Sequence, residues 1–182
     1  MERFRWLQLC IWLGAYHPLM RELRFALESC IQAYCVDKGH PDAKLDYKFE
    51  ALEEIENQRL IGTKLIHATD LQNKNEMKDI YFYLSKYTHS SPVELNEIKN
   101  IMLQESLVIF DLFDTVSNFA FNADLFHKAE ELTNKTMDVV YYVCLSLFPE
   151  VRKKLKQEEN VINSLKELNC TISKDYIEKI GE

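Results

Sequence analysis

Glycine and proline each occur only four times in this chain of 182 residues. Tight turns draw on both, because glycine supplies positive φ angles and proline presets the first turn position. A β-rich chain of this length needs many such turns, so the shortage predicts few, long helices. Hydrophobic residues at 47% and charged residues at 28% lie near the globular average, and the length suffices for one sizeable core. The expected fold is all-α: an antiparallel up-and-down helical bundle of roughly four or five core helices over residues 1–148. Residues 149–182 are expected to form a charged C-terminal helical extension packed on or beside that bundle. No internal repeat, low-complexity tract or linker interrupts the pattern.

Helical periodicity sets the expected elements. Helix is expected from Glu2 to Lys38, with a kink near His17-Pro18, where the proline ring removes a backbone bond. In its second half Leu19, Leu23, Leu27, Ile31 and Tyr34 fill a wide apolar arc, leaving a narrow polar seam of Arg21, Arg24, Glu28 and Gln32. Gly39 and Pro41 end it, and Asp42 is placed to cap a second helix over about 43–57. The stretch from Arg59 to Lys74 reads as a short helix or turn followed by loop. A third helix is expected over 75–88, then a capping box at Ser91-Pro92-Val93-Glu94. Long helical patterns follow over 102–121 and 123–148, with a break near Asn122. Pro149 opens a charged helix to about Leu168, and Ser173 is placed to cap a short terminal helix.

The net charge is −7, and residues 93–148 hold nine acidic against three basic residues. Bulk charge therefore supplies no basic face for nucleic acid, and any such grip must come from named local residues. The run 152-RKKLK-156 lies beside Glu150, Glu158 and Glu159 and reads as a solvated helix face. Five cysteines, an odd number on apolar helical stretches, read as reduced thiols of a cytoplasmic protein. Cys30, Cys35 and His40 are five apart, and five-residue steps turn about 140° round a helix, so they do not converge on a metal. No glycine-rich phosphate loop or E-x-x-H pair occurs, so no metal site and no cofactor is expected. The apolar stretch 6–20 is too short to span a bilayer and runs into the charged 21-RELRFALE-28, so no membrane association is expected.

The candidate site lies in 81-YFYLSKYTHSSP-92. On a helix Tyr81, Ser85 and His89 share one face at four-residue steps. The first long helix offers Arg24 and Glu28 at the same spacing in an apolar setting, where isolated charges are costly. These five residues are expected to meet in one polar cluster between the two helices. A histidine and tyrosines there can equally serve as packed core groups with satisfied polar tips.

The pair of patterns 24-RFALE-28 and 81-YFYLSKYTH-89 resembles the HEPN superfamily, particularly its HEPN-like helical-bundle proteins of prokaryotes, some linked to phage defence. The resemblance covers about residues 19–148. It implies a bundle that is commonly dimeric, with a polar cleft at the ends of the motif helices. It further implies RNA or nucleotide binding, with His89 and Arg24 as catalytic candidates and Glu28, Tyr81, Ser85 and Lys86 as ligand-binding candidates. HEPN ribonucleases cleave RNA without metal through an R-x4-6-H motif. This chain lacks that spacing before His89, and Arg24 would have to supply the arginine from another helix. The expected function is thus RNA or nucleotide binding, with metal-independent cleavage a lesser expectation. The competing expectation is a non-catalytic, homodimeric interaction module serving a protein partner encoded nearby.

Overall fold

A computed structural model describes residues 2–87 and 123–179. The fold is all-α, a helical bundle, with no strand among the described residues. Its helices are α1 (Glu2–Trp12), α2 (Tyr16–Gly39), α3 (Leu45–Asn57), α4 (Thr63–Ala68) and α5 (Lys74–Ser85). After them come α6 (Ala123–Leu147), α7 (Pro149–Leu155), α8 (Glu159–Glu167) and α9 (Thr171–Glu178). The chain divides into two compact units. One takes Met1–Phe25 and Phe82–Thr133, the other Ala26–Tyr81 and Asn134–Glu182.

In the first unit, Leu7, Cys10, Leu19, Met20, Leu23 and Leu84 are buried. The break between α1 and α2 falls earlier than the proline suggested. Gly14 takes a positive φ of 68°. Ala15 N–H donates to the Cys10 carbonyl at 2.8 Å and Gly14 N–H to that of Ile11 at 3.2 Å. That pairing is a Schellman ending, which needs a left-handed residue where glycine stands. Pro18 sits in the first turn of α2, where a missing N–H costs nothing, so the helix starts there instead of kinking.

In the second unit, successive positions on α2 meet falling positions on its neighbours. Glu28 bonds Tyr81 and Tyr34 bonds Asp70, so α2 runs antiparallel to the 70–81 segment. α3 carries no buried residue and is held beside the end of α2 by Lys48 on Asp37 at 2.7 Å and by Tyr47 edge-on to His40 at 4.9 Å. Asp42 does not cap it. The N-cap is Lys44, which makes no side-chain cap bond, because the turn through Pro41 places α3 two residues later than expected.

The C-terminal segment differs most from expectation. The single helix expected over 149–168 is two, α7 and α8, parted at Lys156–Glu158. Pro149 does occupy the first turn of α7. α8 ends at Asn169, which takes φ 55° in another Schellman pairing, Cys170 N–H to Leu165 O at 2.8 Å. Ser173 does not cap α9. Asp138 of α6 does so from a distance, accepting from Ile172 N–H and Ser173 N–H, each at 2.9 Å. Ser173 Oγ donates instead to the Asp138 carbonyl at 2.7 Å. Leu145, Leu165, Cys170 and Ile177 form the buried contact beneath these helices.

Arg152 is not part of a solvated face. Its Nε donates to the Tyr176 carbonyl at 2.7 Å, and its guanidinium lies 3.6 Å from the Tyr176 ring centroid. The third helix ends at Ser85, not at 88, with Lys86 and Tyr87 already in turn conformation. The expected capping box at Ser91, the 102–121 helix and the break near Asn122 lie outside the described residues. Among the described residues no helix is long and apolar enough to cross a membrane.

Candidate functional site

In the first unit, the end of α5 gathers aromatic rings and cations. Phe82 and Lys86 are four apart on one helical path, and Tyr83 lies three before Lys86, so both rings neighbour the same ammonium. Lys86 Nζ stands 5.2 Å from each ring centroid. Lys128 of α6 approaches Tyr83 independently, at 4.6 Å from its centroid, and is itself paired with Glu131 at 3.0 Å. Phe82 remains 65% exposed, so one ring is presented to solvent beside the Lys86 ammonium.

Behind this surface the turn is anchored. The Tyr83 and Tyr87 hydroxyls are 3.2 Å apart, and Tyr87 is buried. Arg21 Nε donates to the Tyr87 carbonyl at 3.1 Å. His17 packs edge-on against the Tyr87 ring at 5.3 Å. Such cation–ring contacts contribute on the order of 0.5–1 kcal/mol at exposed positions. Their use is positional: two ammonium groups and an open ring face lie within reach of one ligand.

In the second unit, Tyr81 donates to Glu28 Oε1 at 2.8 Å. Gly62 sits directly beneath this pair with φ 60°, and a Cβ there would fall 2.6 Å from the Tyr81 hydroxyl oxygen. Tyr34, buried, donates to Asp70 Oδ1 at 2.6 Å, and Lys38 reaches the other carboxylate oxygen at 3.5 Å. The Tyr34 hydrogen bond is the main cause holding the Asp70 carboxyl below its usual range. Burial first, then that same bond, pushes the Tyr34 phenol up. Cys35, His40 and Glu54 line one cavity of about 210 Å³. Among the described residues no group of three or more histidine, cysteine or acidic side chains is placed to hold a metal.

Of the five residues expected in one cluster, four lie among the described residues. Glu28 and Tyr81 meet by hydrogen bond in the second unit. Arg24 and Ser85, both half-buried, belong to the first unit, together with Lys86. His89 lies outside the described residues. Sequence reading missed Phe82 and Tyr83 as partners of Lys86, and Lys128 as a second cation over Tyr83. The two aromatic spacings to Lys86 were legible as i,i+4 and i,i+3, whereas Lys128 arrives from a helix about forty residues on. The chain matches no protein-family model, no curated protein and no solved structure.

Proposed function

We propose that this chain is a HEPN-like helical domain that binds RNA or a nucleotide at the Lys86 end of α5. The observation that carries this reading is the exposed Phe82 ring beside Lys86, with Lys128 over the adjacent Tyr83. An unstacked base can lie on an aromatic face, and the ammonium groups can take the phosphates that accompany it. The net charge of −7 opposes polyanions at a distance, so binding at this surface is local, short in footprint and salt-sensitive. In the resembled family cleavage needs no metal. Here that chemistry would fall to His89 as acid–base group, with Arg24 positioning a phosphate.

Fluorescence anisotropy with a labelled single-stranded RNA oligonucleotide, chased by ATP, tests the reading. Phe82→Ala should weaken binding about tenfold or more, since a base–aromatic stack contributes about 1–3 kcal/mol. Lys86→Ala should weaken it and flatten its salt dependence. Wild-type protein that binds neither probe, or variants that bind as well as wild type, would refute the assignment. Chelator-resistant RNA cleavage lost in His89→Ala would extend it to catalysis.

A second reading, the homodimeric interaction module, is favoured by α1. Trp6, Leu9 and Trp12 recur at helical spacing on that helix, Leu13 follows its end, and all four are exposed, Trp12 to 76%. An aromatic ridge of this kind is the sort of surface that partner proteins cover.

A further inference from the structure

The second unit holds a polar cavity of about 270 Å³, separate from the residues of the α5 surface. Gln72 and Asn73, just before α5, line it together with Arg152 of α7, Asp175 and Tyr176 of α9, and Lys179 at the end of α9. Its walls are tied to one another. The Gln72 backbone N–H donates to the Tyr142 hydroxyl at 2.8 Å, and the Tyr142 ring meets Tyr176 edge-on at 4.9 Å. Arg152 lies over that Tyr176 ring, and its Nε and Nη2 both donate to the Tyr176 carbonyl. Helices α6, α7 and α9 and the turn before α5 thus frame the cavity with side chains held in place.

The charges of the lining are mixed. Arg152 and Lys179 bring two positive groups and Asp175 one negative. Two guanidinium N–H groups are committed to Tyr176, which leaves the rest of the fork open to a ligand. Asp175 and Lys179 stand four apart on one helical path, a spacing at which such a pair can meet. Among the described residues, however, neither they nor Arg152 form an ion pair. We propose that this cavity binds an acidic amino acid, its two carboxylates taken by Arg152 and Lys179 and its ammonium by Asp175.

Charge balance selects this class. Two carboxylates and one ammonium mirror two cations and one carboxylate, and such matching counts most where cavity walls limit screening by salt. A simple dicarboxylate would set a like charge against Asp175. A diamine would do the same to Arg152 and Lys179. Gln72 and Asn73 carry side-chain amides, which both donate and accept and so serve either end of the ligand. Pockets for drug-sized molecules run from roughly 300 to 1,000 Å³. A cavity just below that range fits glutamate or aspartate rather than a nucleotide.

The test is isothermal titration calorimetry of the full chain at low salt, with L-glutamate, L-aspartate, glutarate and inorganic phosphate as separate probes. Glutamate or aspartate should bind, and glutarate, which lacks the ammonium, should bind about tenfold or more weakly. Asp175→Asn should weaken the amino acid by a similar factor and leave glutarate no weaker. Lys179→Ala should weaken both. Asp175 and Lys179 are exposed, so neither change disturbs the core, and circular dichroism checks that each variant is folded. Arg152 is left in place because it also joins α7 to Tyr176 of α9. Lys86→Ala, on the α5 surface, should bind the amino acid like wild type, so this site and the RNA or nucleotide reading fail separately. No binding of either amino acid, glutarate binding as tightly as glutamate, phosphate binding in their place, or an Asp175→Asn variant indistinguishable from wild type would overturn the proposal.

Discussion

At the scale of single residues, Gly62 and Tyr81 show how backbone and side chain constrain each other. Gly62 holds φ 60°, where a side chain is strained, and it is also the floor on which the Tyr81 ring rests. Gly62→Ala therefore has to displace Tyr81 and its bond to Glu28, besides straining the backbone. Tyr81→Phe removes that bond and leaves the backbone unstrained, and a half-buried hydrogen bond to a carboxylate contributes on the order of 1 kcal/mol. Denaturant unfolding should rank Gly62→Ala as clearly the more destabilising, by at least about another 1 kcal/mol. Equal losses would show that the glycine matters only through the tyrosine. The Tyr34–Asp70 pair gives a pH signature. Asp70 is held below its usual value in the fold, so its contribution is fully present above the ordinary carboxylate range and is lost as pH falls through the folded value. Tyr34→Phe removes the main cause, so the stability gap between wild type and variant should narrow as pH drops below about 4. A gap constant from pH 7 to pH 2 would rule this out.

Among elements, α9 is the clearest case of a helix completed by another. Its first turn exposes N–H groups that its own N-cap, Cys170, leaves without a side-chain bond. Asp138 supplies both acceptors while buried, and Ser173 closes the contact in return. Removing a capping acceptor costs about 1–2 kcal/mol, and here two donors would be stranded away from water. Asp138→Ala should lower the melting temperature by roughly 4 °C or more for a chain of this size. A variant melting with wild type would mean that water replaces the carboxylate. Asp138 was invisible as a cap in the sequence because it stands more than thirty residues upstream, mid-helix, where an aspartate reads as a surface acid. Proximity points to Ser173, a rule that holds only when a helix caps itself.

For the whole molecule, the exposed apolar ridge on α1 and the proposed RNA or nucleotide surface on α5 make separate predictions. Multi-angle light scattering at micromolar concentration should give a dimer mass if the ridge is an interface between copies. Trp12→Glu should then give a monomer while leaving RNA binding at Phe82 and Lys86 intact. A wild-type monomer would remove the homodimer from the proposed function without touching the nucleic-acid reading. The two experiments can fail independently.

The all-α class was legible in the shortage of glycine and proline and in apolar spacing, because local propensity and helical periodicity are properties of neighbouring residues. The paths of α2 and α6 followed from Leu23, Leu27 and Ile31 and from the unbroken run after Ala123. Helix ends were less legible, since Gly14 and Asn169 end helices through left-handed turns that compete with a nearby proline or a charged run for the reader's attention. Glu28 and Tyr81 stand on matching four-residue steps in the sequence and are hydrogen-bonded in the structure. What the tertiary structure alone decided are the meetings across long sequence distance: Lys128 over Tyr83 and Asp138 at the head of α9. Each depends on which faces of two helices turn toward one another. That choice is made by the packing of many side chains together, and no short stretch of sequence encodes it.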